Sequence, residues 1–233
     1  MRGRSRILLA AATTAAALAV PTLPSAAADP GTGPGDCAQV RVVTVRGTLE
    51  PQSGSLLLTP LGARIARESG RTATVGELDY PASMSPDSAV RGVAALTALL
   101  NDSPCPDQRL VLLGYSQGAR VIGNTLADRA ALTDQATARI DAITLFGNPL
   151  RNGAEPYNRG TADAALSGTG PLPTGALAGF ADRLHDYCSA GDRVCAGGDP
   201  SAGFGNALSY GHFLYFVNGD RDRAAEFVAE QLD

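Results

Sequence analysis

The fifteen residues RLVLLGYSQGARVIG (residues 109–123) carry the strongest structural signal in the sequence. They begin with aliphatic residues typical of a buried strand and continue with a run typical of a helix. Between the two stands G-Y-S-Q-G, with Ser116 two residues from both Gly114 and Gly118. An abrupt strand-to-helix turn strains its corner residue, and side chains at 114 and 118 would collide across it. The pattern therefore predicts a tight turn that holds Ser116 clear of the sheet edge.

Strand and helix signals alternate along the rest of the chain. This alternation predicts a mainly parallel sheet with helices on both faces, in which sites form where the strands end. The stretches 147–179 and 197–211 are rich in small residues and are expected to form long loops, the first with room for one short helix. Strands are predicted at 40–45, 72–80, 109–113, 140–146 and 183–187, and helices at 60–69, 86–100, 117–130 and 222–232.

The first two helices have recognisable sequence features. Thr59 followed by Pro60 is typical of an N-cap with proline at the first helical position. The second helix is expected to pack one apolar side against the sheet, formed by Val90, Val93, Ala94, Thr97 and Leu100.

The N-terminus has the composition of a secretory signal peptide. Three arginines precede an apolar stretch at 7–20, and three alanines at 26–28 offer a cleavage site. The apolar stretch is short and rich in Ala and Thr, which disfavours a transmembrane anchor. We therefore expect residues 1–28 to be removed, 29–36 to form a flexible tail and 37–233 to form one secreted, extracellular domain.

The charge of the chain restricts its partners. Removing the three arginines of the leader changes the formal net charge from −4 to −7. An acidic chain is a poor partner for nucleic acid or an anionic membrane surface. No segment after the leader is apolar enough to span a bilayer. We expect a monomer that binds neither nucleic acid nor a membrane core.

The sequence contains four cysteines, namely Cys37, Cys105, Cys188 and Cys195. An even number behind a signal peptide predicts two disulfides, for which three pairings are possible. Cys188 and Cys195 flank a short turn and can pair easily, which would leave Cys37 with Cys105. Zinc is the competing interpretation, but the C-x₂-C spacing is missing and the chain has only two histidines. No metal or other cofactor is expected.

The position of Ser116 at the start of a helix suggests nucleophilic chemistry. The backbone N–H of Gln117 and the positive end of the helix would face a negative charge that forms beside the hydroxyl. A serine hydroxyl also needs a base, most often histidine. His212 is preferred over His185, because His185 lies inside a predicted strand and His212 comes last in the order Ser, acid, His.

A carboxylate is needed to orient the imidazole of His212. Asp182, Asp186, Asp192 and Asp199 are the candidates. Asp192 is preferred because it directly follows the fifth predicted strand, within the cysteine-flanked turn CSAGDRVC. A disulfide across this turn would hold the carboxylate in place. The alternative interpretation is that Asp192 only stabilises the turn.

These residues resemble the cutinase family of secreted serine esterases, including the cutinase-like proteins of actinobacteria. The matching segments follow one another in the family order over nearly the whole chain after the leader. They are V-R-G-T-L-E (45–50), Y-P-A (80–82), G-Y-S-Q-G (114–118), F-G-N-P (146–149), Y-C-S-A-G-D-R-V-C (187–195) and Y-G-H (210–212).

The resemblance implies an α/β-hydrolase, a three-layer α/β/α sandwich with a five-stranded sheet and little or no lid. It implies that Ser116, Asp192 and His212 are the nucleophile, acid and base, and that Thr48 is a second oxyanion donor beside Gln117. The pairs Cys37–Cys105 and Cys188–Cys195 are implied as well. The segment between Asp192 and His212 is longer than in fungal members, and its Phe204 and Leu208 could shape an acyl site.

The function expected from these features is the hydrolysis of short- to medium-chain esters through an acyl-enzyme, with cutin-like polyester as one candidate substrate. A narrower esterase acting on acetylated polysaccharide, phospholipid or thioester would use the same three residues. A secreted binding protein with the same fold is the alternative from another class, although such a protein has no need for all three residues.

Overall fold

The structure is a computed structural model that describes residues 37–197 and 210–233, all of which belong to one compact unit. Its centre is a six-stranded sheet in which every neighbouring pair is parallel. The strands are β1 (Val40–Val45), β2 (Ala73–Glu77), β3 (Arg109–Tyr115), β4 (Ile140–Phe146), β5 (Asn158–Gly160) and β6 (Leu184–Cys188), in the spatial order β2-β1-β3-β4-β6-β5.

Helices cover both faces of the sheet. Along β3, Leu110 and Leu112 belong to one apolar cluster, whereas Val111 and Leu113 belong to another, as expected for a strand buried on both sides. The helices are α1 (Leu58–Glu68), α2 (Ser88–Asn101), α3 (Gln117–Ala127), α4 (Asp134–Ala138), α5 (Arg193–Ala196) and α6 (Asp220–Leu232). The first cluster includes residues of α2 and α3, and the second includes residues of α1 and α6.

The predicted α/β-hydrolase architecture is confirmed, but the sheet has six strands and not five. The additional strand, β5, lies in the stretch 147–179, which the sequence predicts to be a loop. Its Asn158 pairs with Asp186 and its Gly160 with Cys188 of β6. Three residues are too few to produce an alternating pattern, so periodicity does not detect such a strand.

One predicted feature of the helices is wrong, and another is wrong in part. Thr59 lies inside α1, and it is the hydroxyl of Ser55 that accepts hydrogen bonds from the N–H groups of Leu57 and Leu58. In α2, the predicted Leu100 is buried and Val93 packs against the core, but Val90 is 68% exposed and Ala94 is exposed as well. The buried residues of this helix are Ser88, Ala89, Gly92, Leu96 and Leu100.

Three 3₁₀ segments complete the described chain: Arg129–Ala131, Ala178–Arg183 and Tyr210–Phe216. The last of them precedes α6 and carries His212. Most of the predicted loop 197–211, with Phe204 and Leu208, lies outside the described residues, as do the predicted leader and tail. Within the described residues, no helix is both long and apolar enough to cross a membrane.

The structure contains one disulfide between distant parts of the chain and one across a short loop. The Cys37–Cys105 bond links the segment before β1 to the segment before β3. The Cys188–Cys195 bond links the end of β6 to α5 and closes a loop with a sequence separation of 7 residues. Asp192 lies inside this short loop, so the disulfide restricts the backbone on both sides of its carboxylate.

The turn between β3 and α3 is strained as predicted, but Gly118 is required there for a reason other than the predicted one. Ser116 has φ 53° and ψ −113°, a conformation that non-glycine residues rarely adopt. A Cβ on Gly114 would lie 2.9 Å from the Cα of Ala119, so this glycine relieves crowding across the corner. A Cβ on Gly118 would instead lie 1.7 Å from the carbonyl oxygen of Val45, so this glycine lets α3 approach β1.

A test of this close approach compares two glycines of the same helix. Alanine normally stabilises a helix by about 1 kcal/mol relative to glycine. Gly118→Ala is nevertheless expected to lower the free energy of unfolding by at least about 2 kcal/mol, because the backbone at Val45 cannot move away easily. Gly123→Ala is the control, since the one tight contact of its Cβ would be with the flexible end of Leu150, at 3.0 Å. Urea denaturation that ranks Gly118→Ala as equal to or more stable than Gly123→Ala would contradict this account.

Candidate active site

A cavity of about 500 Å³ lies at the C-terminal end of the sheet, beside the turn between β3 and α3. Ser116, at the corner of this turn, is one of the residues that line it, and His212 is another. The strained turn therefore presents Ser116 at the edge of the sheet where the predicted base also lies. Apolar side chains form much of the remaining wall, namely Leu49, Leu56, Met84, Tyr115, Phe213 and Phe216.

The turn after β1 carries Thr48 and also lines the cavity. Its backbone is fixed by several contacts. Leu49 has φ 65° and donates its N–H to the carbonyl oxygen of Ala82 at 2.6 Å. The carboxylate of Glu50 accepts the N–H of Gly47 at 2.7 Å. These contacts hold the Thr48 backbone beside the start of α3.

Arg46 connects this turn to the segment that follows β2. Its buried guanidinium donates to the carbonyl oxygens of Glu50, Leu78 and Tyr80. The hydroxyl of Tyr80 in turn donates to the carbonyl oxygen of Arg46 at 2.5 Å. A buried arginine with several backbone acceptors rigidifies the two segments that it joins.

Among the described residues, the carboxylate of Asp192 has three hydrogen-bond donors. Its Oδ1 accepts the N–H of Val194 at 2.8 Å, which makes Asp192 the N-cap of α5. Its Oδ2 lies 2.9 Å from Nδ1 of His212 and accepts the hydroxyl of Tyr215 at 2.6 Å. The N-cap shows that the turn-forming role considered for Asp192 exists alongside its contact with His212.

The ring of His212 is held from several sides. It stacks on Tyr115, with 5.1 Å between the ring centroids, and the Tyr115 hydroxyl donates to the carbonyl oxygen of His212 at 2.9 Å. On another side lies Gly147, which has φ 58°. A Cβ on this residue would come within 2.6 Å of Cε1 of His212 and 3.1 Å of Oδ2 of Asp192. The glycine of the F-G-N-P segment therefore leaves room for the contact between these two side chains.

The structure brings most of the predicted site residues together. Ser116 and His212 line one cavity, His212 contacts Asp192, and the side chains of Gln117 and Thr48 are hydrogen-bonded at 3.2 Å. The four cysteines lie away from this cavity and form the two disulfides described above.

The alternative candidates occupy other positions. His185 stacks on Phe227 of α6, and burial lowers its pKa to about 4. Asp186 is buried against Asn148, whereas Asp182 is exposed. Asp199 lies outside the described residues. The described part of the chain contains no group of three His, Cys, Asp or Glu side chains that could hold a metal ion.

Sequence reasoning missed the hydroxyl of Tyr215 as a partner of Asp192. Tyr215 also accepts the N–H of Ser189 at 3.0 Å, so its hydroxyl is fixed between the short disulfide loop and the carboxylate. Burial and the neighbouring Asp192 raise the pKa of Tyr215 well above its ordinary value, which keeps the phenol protonated as a donor. The only sequence signal was its position three residues after His212 in an aromatic-rich segment.

The F-G-N-P segment also contacts a buried carboxyl group below the site. The side-chain amide of Asn148 donates to Oδ2 of Asp186 at 2.7 Å. Burial raises the pKa of Asp186 to about 7, although the hydrogen bond from Asn148 and the charge of Arg151 act in the opposite direction. No side-chain or backbone donor in the described chain reaches the other oxygen, Oδ1.

Comparison with known proteins decides the family of this chain. The sequence model of the cutinase family matches residues 36–232. The chain belongs to the cutinase family. The expected resemblance to the cutinase family is thereby confirmed.

Named relatives in this family include bacterial and fungal proteins. A cutinase of Kineococcus radiotolerans is 34% identical over 83% of this chain and 61% of its own length. An acetylxylan esterase of Hypocrea jecorina is 32% identical over 64% of this chain and 52% of its own length. The chain thus spans little more than half of these two relatives. The carboxylesterase Culp1 of Mycobacterium tuberculosis is 31% identical over 100% of this chain and 99% of its own length.

Solved structures agree on the fold. The catalytic core domain of acetyl xylan esterase from Trichoderma reesei matches with a TM-score of 0.69 and 26% identity, over 84% of this chain and 100% of that domain. A cutinase-like protein from Cryptococcus sp. matches with a TM-score of 0.70 and 24% identity, over 86% of this chain and 98% of its own. At 24% identity, the second likeness shows the fold alone.

The buried carboxyl of Asp186 predicts a pH-dependent stability. In the unfolded chain this group loses its proton near pH 4, whereas in the folded protein its pKa is about 7. Stability is therefore lost as the pH rises from 4 to 7. Asp186→Asn removes the ionisation and preserves the acceptor for Asn148. The variant is expected to exceed wild type by roughly 2–4 kcal/mol at pH 8 and to match it near pH 4.

Chemical denaturation at the two pH values measures this difference. Asp182→Asn is the matched control, because Asp182 is exposed and its substitution should preserve the wild-type pH dependence. The interpretation of Asp186 is wrong if wild type and Asp186→Asn differ by the same amount at pH 4 and pH 8.

Proposed function

We propose that the protein is a secreted serine carboxylesterase in which Ser116, His212 and Asp192 act as nucleophile, base and acid. One observation carries the proposal: the imidazole that lines the cavity together with Ser116 is hydrogen-bonded through Nδ1 to the buried carboxylate of Asp192. The family supports an ester hydrolase, and the geometry supports the roles of these three side chains.

The contact with Asp192 determines which tautomer the neutral imidazole of His212 adopts. An ionised carboxylate only accepts hydrogen bonds, so Nδ1 of the neutral imidazole must carry the proton that points towards it. The lone pair of the ring is then on Nε2, where it can accept a proton from a hydroxyl. Tyr215 and the N–H of Val194 hold the carboxylate, which therefore cannot rotate freely away from the imidazole.

The proposed reaction has two halves. In the first, the Ser116 oxygen attacks the ester carbonyl while His212 takes the hydroxyl proton, and the tetrahedral intermediate collapses to an acyl-serine as His212 returns the proton to the leaving alcohol. In the second, water attacks the acyl-serine, His212 takes a proton from this water, and the proton returns to Ser116 when the acid leaves. Asp192 stabilises the imidazolium that forms in both halves.

The oxyanion of the intermediate is proposed to lie between α3 and the turn after β1. The backbone N–H of Gln117 stands at the first position of α3, where no acceptor exists within the helix. The hydroxyl of Thr48 is proposed as the second donor. Each such donor is worth about 10²–10³ in kcat in enzymes that use it.

The walls of the cavity favour an ester with an apolar acyl chain of short to medium length. Leu49 is 71% exposed, Met84 65% and Phe213 51%, and all three line the cavity. Exposed apolar side chains around a concave site are typical of a surface that binds an apolar partner. A cutin-like polyester would present such chains to the rim of the cavity.

Several other functions are alternatives, and one of them has support from a named relative. The Hypocrea relative is named an acetylxylan esterase, and an enzyme of that kind would remove a short acetyl group. Phospholipids and thioesters would use the same three side chains. A binding protein without turnover is the least favoured, since binding alone would not require the contact between His212 and Asp192.

Secretion is proposed from the leader together with the disulfides. Two disulfides with no free cysteine in the described chain fit an oxidising compartment outside the cytosol. A monomer that needs no cofactor is the simplest form of the proposed enzyme.

The role of Ser116 is tested by a fluorophosphonate probe, which reacts with activated serines. Wild type is expected to be labelled, and Ser116→Ala is expected to lose labelling and about 10⁴-fold or more of its kcat on p-nitrophenyl butyrate. Ser53→Ala, at an exposed serine before α1, is the control and should retain both. Folded wild type that stays unlabelled, or labelling that survives Ser116→Ala, would refute the proposal.

The preference for an apolar acyl chain is tested with p-nitrophenyl acetate, butyrate and hexanoate. Each methylene buried in the cavity contributes up to about 0.8 kcal/mol, so kcat/KM should rise by up to about fourfold per methylene. Phe213→Ser should reduce this slope, whereas Val217→Ser, exposed but outside the cavity lining, should preserve it. A kcat/KM that is highest for acetate and falls with chain length would favour the acetyl esterase alternative.

A further inference from the structure

The side chain of Gln117 closes a ring of hydrogen bonds beside the cavity. Its Nε2 donates to Oγ1 of Thr48 at 3.2 Å and to the carbonyl oxygen of Ser83 at 2.9 Å. Its Oε1 accepts the hydroxyl of Ser88 at 2.8 Å, and that hydroxyl oxygen accepts the N–H of Ser83 at 2.9 Å. Nε2 and Oε1 of Gln117 and Oγ of Ser88 therefore all have hydrogen-bond partners.

The backbone of Ser83 fixes the direction of every bond in the ring. Its carbonyl oxygen can only accept, so the amide nitrogen of Gln117, and not the amide oxygen, must face it. Its N–H can only donate, so the Ser88 oxygen receives that proton and gives its own to Oε1 of Gln117. The amide of Gln117 is thus held in one of its two possible orientations by groups whose polarity cannot change.

This orientation determines what the hydroxyl of Thr48 can do. The second hydrogen on Nε2 of Gln117 points at Oγ1 of Thr48, which is therefore an acceptor in this contact. The hydroxyl proton of Thr48 must point elsewhere, and it makes no hydrogen bond to residues 37–197 or 210–233. Thr48 lines the cavity together with Ser116, so this proton is available to a group that occupies the cavity.

The backbone of Thr48 is already held by its neighbours. The N–H of Leu49 is bonded to Ala82, and Glu50 accepts the N–H of Gly47. These contacts fix where the Thr48 side chain begins but leave the rotation of its hydroxyl free. Among the described residues, the amide of Gln117 is the group that restricts this rotation.

We propose that the side-chain amide of Gln117 is a positioning residue that turns the Thr48 hydroxyl into a donor for the oxyanion. Gln117 would then serve the oxyanion twice, through its own backbone N–H and through the hydroxyl that its side chain orients. This inference rests on the proposed function, in which Thr48 donates to the oxyanion. The competing interpretation is that the ring only holds the segment 83–88 against α3.

The experiment compares Gln117→Met, Thr48→Val and the double variant on p-nitrophenyl butyrate. Methionine has a similar length but donates no hydrogen bond, and both substitutions keep the backbone N–H groups. Gln117→Met is expected to lower kcat by about 10–100-fold with KM within about threefold, because the lost contact acts on the transition state. In the Thr48→Val background, where no hydroxyl remains to be oriented, Gln117→Met should cost less than about threefold.

Two further variants separate positioning from structure. Gln117→Glu replaces the donor by an acceptor that would attract the Thr48 proton away from the cavity, so its kcat should fall below that of Gln117→Met. Ser88→Ala removes one of the two links between the segment 83–88 and Gln117, the bond to Oε1, but preserves both bonds from Nε2, so its kcat should stay within about threefold of wild type. Thermal unfolding of each variant shows which of them are folded. If Gln117→Met is unfolded, Gln117→Glu takes its place in the comparison of kcat with wild type.

Each outcome has a distinct meaning. A kcat of Gln117→Met close to wild type, or an equal loss with and without the Thr48 hydroxyl, overturns the positioning role alone. An equal loss in Ser88→Ala and Gln117→Met overturns it in favour of the structural interpretation. Wild type that neither turns over the ester nor reacts with the fluorophosphonate probe overturns the proposed function, and this inference with it.

Discussion

The close approach of helix α3 to the end of strand β1 is the constraint on which the rest of the site depends. The helix can begin at this distance only because Gly118 has no side chain to meet the carbonyl oxygen of Val45. This start strains the backbone of Ser116 and exposes its hydroxyl to the cavity. It also brings Gln117 beside Thr48, three residues beyond Val45, so one packing distance determines both walls of the proposed oxyanion site.

The position of His212 in the cavity depends on one buried carboxylate. Removing a carboxylate from water is costly unless donors replace the lost hydration. Asp192 has three such donors, from Val194, Tyr215 and His212, and a disulfide closes the loop around it. The same contacts that compensate its burial also orient the imidazole. Stability and the proposed chemistry therefore have the same structural basis at this position.

Local sequence patterns predicted the strands near the site very well and some other features poorly. The bounds of β1 and β4 were predicted to the residue, because continuous runs of branched aliphatic residues are typical of strands buried on both faces. The predicted face of α2 was wrong at Val90 and Ala94, because apolar residues surround this helix and small residues, such as Gly92 against Tyr80, allow the closest packing. Strand β5 was missed because three residues form no periodic pattern.

The sequence by itself determined the alternation of strands and helices, the strained turn at Ser116, the family and the choice of His212 and Asp192 as partners. These features depend on residue type and spacing within short segments, which a single chain displays directly. Only the tertiary structure decided that Tyr215 donates to Asp192, that burial raises the pKa of Asp186, and that the side chain of Gln117 donates to Thr48. These contacts join residues that are 23 to 69 positions apart or depend on exclusion of water, and both are set by how the helices pack on the sheet.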